Sequence, residues 1–296
     1  MDRCPSEICS EICAFACTDD GRTGRSLSLV SRFLNQSSKP YKLQSVAVVG
    51  HAQLHAFAAL IERTPLSLRR VACIFVSAHS RQTASDPRLL APEYVQRQDA
   101  YAAVGRILRA IAPCVRVVHA FFVFYRPFIL LPVSLPALEE LTLHGPLDSS
   151  AALDRDIEFP ALRHLDLTSS CAPSYVLDKV LKLTPRLAHL RISASDRSEL
   201  VANDWSALVS VEDKRWALPG HLERIYVHAP TQPGRDAYTQ LQEQFYGRIM
   251  RALEFLAETD ERVVLLRPLQ YDLFSMVSIQ TAITTWSASA DGIHWW

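Results

Sequence analysis

Hydrophobic residues recur with the same spacing in four segments of the chain. Each segment begins with proline and continues with Leu-x-x-Leu-x-Leu or a close variant; the segments are Pro136–Leu143, Pro160–Leu167, Pro185–Ile192 and Pro219–Val227. The first leucines are 24, 25 and 35 residues apart, at Leu138, Leu162, Leu187 and Leu222. Alternate side chains of a strand face opposite ways, so each segment predicts a short strand with its leucines turned inward.

A period of about 20–29 residues carrying this pattern resembles that of leucine-rich repeat proteins. In such proteins a single unit cannot bury its apolar side alone, so neighbouring units stack and share one core. The resemblance implies an α/β fold, a leucine-rich-repeat-like solenoid with a parallel sheet. Stacked repeats present an extended surface, which favours a binding function over an enzymatic one.

Proline marks the corner in front of these strands. It stands two residues before the first apolar position in four places, Pro113, Pro136, Pro160 and Pro185. Proline cannot continue a helix and has no amide hydrogen for a strand ladder, so it suits the turn between a helix and the next strand. A turn is therefore predicted at each of these prolines.

The pattern along the rest of the chain predicts further elements. Eight strands are predicted to begin near residues 43, 68, 115, 138, 162, 187, 222 and 262. Helices are predicted at 4–17, 26–34, 51–62, 93–111, 174–183 and 235–258, and a closing helix at 272–286 is expected to cap the array. The stretches 77–92, 144–159 and 195–218 look irregular. We expect a helical head at 1–40 and a repeat region at 41–296.

Composition narrows the class of protein. Lys+Arg and Asp+Glu balance at 31 each, so nothing indicates binding to nucleic acid. The start of the chain has no apolar signal region, and charges and prolines interrupt the apolar stretch Val115–Val133. We expect a soluble intracellular protein, cytoplasmic or nuclear, without a membrane segment.

Four of the seven cysteines stand near the beginning, at Cys4, Cys9, Cys13 and Cys17. Their spacing is not the paired Cys-x-x-Cys arrangement of a structural zinc site. The last three fall on one stripe of a helix, which favours small buried thiols over metal ligands. No metal and no cofactor are expected.

The head resembles the F-box. Its segment Cys4–Cys13 is similar to the F-box opening Leu-Pro-x-Glu-Leu-Leu-x-x-Ile-Leu, and Leu27–Leu34 is similar to the F-box segment Leu-x-x-Val-Cys-Arg-x-Trp. The whole chain is similar to fungal F-box-like proteins with degenerate leucine-rich repeats. In that family the F-box docks on the Skp adaptor of a cullin-type ubiquitin ligase, and the repeats hold the protein to be ubiquitylated.

The resemblance also implies an adaptor-facing apolar set, namely Pro5, Ile8, Ile12, Leu29 and Val30. Cysteine replaces the bulky aliphatic residues that the family has at Cys4, Cys9 and Cys13. If these positions faced the adaptor, the lost methylenes, at about 0.8 kcal/mol each, would weaken docking. The alternative interpretation is a helical pair that only caps the sheet, in a structural interaction scaffold without a link to ubiquitin.

The residues between the inward leucines define a second candidate surface. If the leucines face the core, the alternate positions line an exposed sheet that would bind a protein partner. The candidate partner-binding residues are His119, Thr142, His144, His164, Asp166, His189, Arg191, Tyr226 and His228. Two alternatives remain. These positions could be ordinary solvated residues, or they could form a metal or catalytic cluster, since His164 and His189 would lie about 4.8 Å apart on adjacent strands.

Enzymatic motifs are missing from the sequence. The chain contains no G-x-S-x-G, G-x-x-x-x-G-K-[ST], G-x-G-x-x-G or H-E-x-x-H, and it has only nine glycines for phosphate-binding loops. The carboxylate pairs Asp19-Asp20 and Asp154/Asp156 fall in polar loops without an acid–base partner in view. We expect the protein not to be an enzyme.

Overall fold

The structure, a computed structural model, describes residues 4–79, 94–122, 126–145, 147–152, 157–169, 174–193, 220–230, 232, 240–268, 278–290 and 292. It is an α/β protein with a parallel sheet of eight strands. The helices in this part of the chain are α1 Ser6–Ala16, α2 Arg22–Val30, α3 Arg32–Ser38, α4 His51–Arg63, α5 Tyr94–Ile111, α6 Ser174–Leu183, α7 Gln240–Thr259 and α8 Ile279–Ala290. The strands are β1 Ser45–Val49, β2 Cys73–Ser77, β3 Val117–Phe121, β4 Arg126–Phe128, β5 Glu140–His144, β6 Leu147–Ala152, β7 His164–Ser169, β8 His189–Ser193, β9 Arg224–His228 and β10 Val263–Leu266.

The chain separates into two compact units. The first takes its residues from 1–123, 132–140 and 278–296, and the second from 124–131 and 141–277. In the first unit the parallel order is β1-β2-β3, and in the second it is β5-β7-β8-β9-β10. The eight predicted strand segments are thus confirmed as the eight strands of the parallel sheet, and each strand begins a few residues after its predicted start.

The prolines lie in the predicted corners. The amides of Leu138, Leu162 and Leu187 donate to the carbonyls three residues earlier, at 3.2, 3.2 and 3.1 Å. Proline therefore occupies the second position of three equivalent turns, where its fixed φ angle is favourable. The turn at Pro113 differs, because the bond from Cys114 N to Ile111 O places proline one position later.

Successive strands also begin with the same hydrogen-bond pattern. One carbonyl before each strand accepts from two consecutive amides of the following strand segment, for example Ala72 O from Arg116 N and Val117 N at 2.8 and 3.0 Å. The carbonyls that do this are Gln44, Ala72, Arg116, Arg163 and Ala188. Strands with the leucine motif and strands without it therefore begin with the same hydrogen-bond geometry. The first leucines of the four motifs are buried.

Three short helices lie between residues 4 and 38, where the sequence predicted two. The predicted helix 26–34 is interrupted at Ser31, whose extended backbone ends α2 and begins α3. Its hydroxyl accepts from Leu34 N at 3.2 Å and so caps α3. The helices are tied to β1 because Gln44 Nε2 donates to Ala14 O at 3.1 Å.

The predicted closing helix corresponds to α8, which belongs to the first unit and packs on β2 and β3. Its buried stripe of Ile279, Ala282, Ile283 and Trp286 supplies the apolar surface for this contact. Both faces of β2 and β3 are consequently buried over most of their length.

A second, two-stranded sheet was not predicted. Strand β6 lies within the stretch 144–159 that looked irregular, and it pairs in parallel with β4. The predicted insertion 195–218, most of the loop 77–92 and the pair Asp154/Asp156 fall outside the described residues. No helix in the described part of the chain is long and apolar enough to cross a membrane.

Candidate functional site

The five predicted adaptor-facing residues all lie on the surface of the first unit. The exposed fractions are 47% for Ile8, 58% for Ile12, 81% for Leu29 and 67% for Val30, and Pro5 is also exposed. Apolar side chains this exposed carry a hydration penalty that burial against a partner would remove. Two further apolar residues of the head are exposed but absent from the predicted set, Phe15 at 83% and Phe33 at 36%.

The arrangement of α1 follows from its four-residue cysteine spacing. Cys9, Cys13 and Cys17 form the buried stripe, as the sequence predicted. Ile8, Ile12 and Phe15, at i, i+4 and i+7, therefore share the outward face. Cys9 and Cys13 are buried, so their replacement of bulky aliphatic residues does not reduce the outward apolar face.

Burial also settles the chemistry of these thiols. It raises the pKa of Cys13, and it raises the pKa of Cys17 to about 11. A thiol must lose its proton to act as a nucleophile or metal ligand, so both are ordinary packing residues at neutral pH. Within the described residues no three His, Cys, Asp or Glu side chains come together to hold a metal ion.

Three aromatic rings form a row across strands β7, β8 and β9 of the second unit. The ring centroids of His164 and His189 are 5.0 Å apart, and His189 stacks on Tyr226 at 6.3 Å with an angle of 14° between the planes. All three side chains are partly exposed. Burial lowers the pKa of His189, against the opposing effect of nearby Glu223. A planar, partly exposed row of rings is suited to packing against another protein.

A polar network lies beside this row. Arg191 donates through Nε and Nη2 to His228 Nε2 at 3.0 and 2.9 Å, and its Nη1 is 3.7 Å from Asp166 Oδ2. A guanidinium can only donate, so His228 Nε2 is the acceptor and Nδ1 carries the proton. That proton is donated to Arg267 O at 2.8 Å. Burial lowers the pKa of His228, which agrees with this neutral tautomer.

The predicted exposed line of residues is wrong at five positions, because the structure buries His119, Thr142, His144, Asp166 and His228. Helix α8 covers the side of β3 that carries His119. Strand β5, with Thr142 and His144, is buried at all five positions, so both of its faces are covered. Asp166 and His228 turn toward Arg191 instead of solvent. His164, His189, Arg191 and Tyr226 remain as the accessible part of the predicted surface.

A buried polar cluster in the first unit joins His119, Glu140 and Ser289. Glu140 Oε1 accepts from Ser289 Oγ at 3.0 Å and lies 3.3 Å from His119 Nε2. A serine nucleophile needs an imidazole as its proton acceptor. Here the carboxylate lies between the two, so the serine is held and not activated. We assign the cluster to the attachment of α8.

Asp19, from one of the predicted carboxylate pairs, has a structural role. Its carboxylate accepts from Gly21 N, Thr23 N and Thr23 Oγ1 at 3.1, 2.9 and 2.7 Å. These bonds satisfy donors at the start of α2.

A histidine pair on α4 was missed by the sequence analysis. His51 and His55 bring their Nε2 atoms to 3.2 Å on the outside of the helix. The search for H-E-x-x-H required a glutamate after the first histidine, whereas the spacing of four within a predicted helix was the usable signal.

Comparison with known proteins finds no match to the chain among family models, curated proteins or solved structures.

Proposed function

We propose that the protein is an F-box-like interaction adaptor. Helices α1–α3 would dock on a Skp-type adaptor of a cullin-type ubiquitin ligase, inside the cell, and strands β7–β9 would hold a protein substrate. The observation that carries this proposal is the outward apolar set on the head, Pro5, Ile8, Ile12, Leu29 and Val30. Helices that served only to complete the core would turn such residues inward.

The energetics are sufficient for docking. Burying one isoleucine or leucine side chain contributes about 1.5–3 kcal/mol. Each 1.4 kcal/mol is about tenfold in affinity. Because Cys9 and Cys13 lie inside the head, the outward face keeps its bulky side chains. Loss of one of them is expected to weaken docking by about tenfold to a hundredfold.

The repeat interpretation supports the second half of the proposal. Three equivalent proline turns and five equivalent strand entries favour a degenerate leucine-rich repeat array over an unrelated parallel sheet. In such arrays the sheet is a common place for partner binding. The accessible ring row of His164, His189 and Tyr226 is the part of the sheet best suited to that role.

A direct binding measurement tests the docking. Purified protein is titrated with a purified Skp-type adaptor, and Leu29→Asp and Ile12→Asp are compared with wild type. Leu66→Asp is the matched control, because Leu66 is 79% exposed and lies outside the head. We expect binding that both head variants weaken at least tenfold and the control leaves unchanged. Absence of binding at micromolar adaptor concentration would overturn the docking proposal.

The substrate surface needs a separate test. Replacing His164, His189 and Tyr226 together with alanine should reduce the recovery of bound substrate in a pull-down while leaving adaptor binding intact. Recovery equal to wild type would exclude this row of rings as the binding surface. His221→Ala is the control, since His221 is exposed and lies outside the row.

The alternative is a structural scaffold without a link to ubiquitin. The bond from Gln44 to Ala14 favours it, because it fastens the head onto the first strand as a cap would be fastened. Absence of adaptor binding by the wild-type protein, combined with partner recovery that depends on the ring row, would support the scaffold.

A further inference from the structure

Two histidines converge on the exposed side of α4, and neither belongs to the residues of the two proposed protein-binding surfaces. His51 is the first residue of the helix, and His55 stands four residues later, so both lie on one face. The ring centroids are 4.5 Å apart, but the Nε2 atoms are only 3.2 Å apart. The rings therefore tilt so that their Nε2 edges approach each other.

We propose that His51 and His55 bind a divalent first-row transition-metal ion, such as Zn²⁺ or Ni²⁺, between their Nε2 atoms. Zinc–imidazole bonds are about 2.0–2.1 Å long. With bonds of that length, a nitrogen separation of 3.2 Å gives a nitrogen–metal–nitrogen angle of about 103°, close to tetrahedral. The pair already has the spacing of two ligands that share one ion.

The surroundings determine which ions would bind. The start of a helix carries partial positive charge and disfavours a cation held by charge alone. Affinity must come from the imidazole nitrogens, which suit zinc, nickel and copper and not calcium or magnesium. Gln53, the nearest polar neighbour along the helix, accepts from Val49 N at 3.1 Å and is engaged there. Within the described residues no third His, Cys, Asp or Glu joins the pair, so water would fill the remaining coordination positions.

Calorimetric titration of the full chain with Zn²⁺ and with Ni²⁺ tests the site. We expect one ion per chain, and at least tenfold weaker binding after His51→Ala or His55→Ala. His221→Ala, an exposed histidine elsewhere, should bind as wild type does. Binding that neither single variant weakens, or no binding by the wild-type chain, would overturn the proposal.

The geometry itself can be tested at constant composition. The double variant His55→Ala/Ala56→His keeps both imidazoles on α4 but moves one to an exposed position five residues from His51. That position points to a different side of the helix, so binding should fall to the level of His55→Ala. In parallel, Ni²⁺ should raise the melting temperature of wild type but not of this variant, because only the folded wild-type pair binds the ion. Equal binding by the two proteins would show that the pair is not the site.

Discussion

The indole of Trp286 packs against the phenyl ring of Phe75, with ring centroids 6.0 Å apart and planes inclined by 56°. Both side chains are fully buried. Phe75 lies in the middle of β2, so this contact holds α8 on a strand from much earlier in the chain. Such aromatic pairs add about 0.5–1.5 kcal/mol beyond the area they bury. Helix α8 therefore completes the core of the first unit.

Trp286→Ala should lower the free energy of unfolding by about 3–5 kcal/mol, because it leaves a cavity against β2 that the sheet cannot fill. Urea denaturation followed by circular dichroism measures this. Thr284→Ala, an exposed change on the same helix, should alter stability by less than about 0.5 kcal/mol. Equal effects of the two changes would contradict the packing of α8 on β2.

Ser289→Ala tests the polar attachment of the same helix. The serine donates to the buried carboxylate of Glu140, so its removal should cost about 1–3 kcal/mol of stability. Ser287→Ala is the control, since Ser287 lies two residues earlier and is partly exposed. If denaturation midpoints of the two variants coincide, the buried hydrogen bond does not stabilise α8.

Local patterns predicted the strands well. Each Leu-x-x-Leu-x-Leu segment carries its own turn and its own inward residues, so the positions of β5, β7, β8 and β9 could be taken from the sequence. The apolar residues that the resemblance assigns to adaptor docking are exposed in the structure. The four-residue spacing of Cys9, Cys13 and Cys17 predicted the buried stripe of α1, and the structure buries all three.

Long-range packing could not be predicted in this way. The repeat pattern leaves one side of the sheet open, and only the return of α8 to β2 and β3 shows why His119 is buried.

The break at Ser31 was missed for a different reason. A serine within an amphipathic stretch fits a helix interior or a cap, and its extended backbone decides between them.

Two glycines are expected to respond to alanine in opposite directions. A Cβ at Gly24 would lie 2.8 Å from Lys42 O and 2.9 Å from Lys42 Cα, so α2 could no longer pack closely on that backbone. Gly24→Ala should destabilise the protein by about 1–3 kcal/mol. Gly247, within α7, has no atom within 4 Å of such a Cβ. Gly247→Ala should raise stability by about 0.5–1 kcal/mol. Thermal unfolding of both variants checks the pair, and a shared sign would refute the close approach at Gly24.

His79 should make folding sensitive to acid. Burial lowers the pKa of its imidazole from 6.5 to about 4. Below pH 6.5 the unfolded chain binds a proton that the folded chain does not, so stability falls as the pH drops from 6.5 to 4. The loss should reach about 3 kcal/mol at the lower end.

The measurement is the free energy of unfolding as a function of pH for wild type and His79→Gln. The variant lacks the titrating group, so its stability should decline less over this range. Above pH 7 the difference in stability between the two proteins should no longer depend on pH. His221→Gln, at an exposed position, should follow the wild-type curve throughout. Parallel curves for wild type and His79→Gln between pH 6.5 and 4 would mean that the buried imidazole accepts its proton as readily in the folded chain as in the unfolded one.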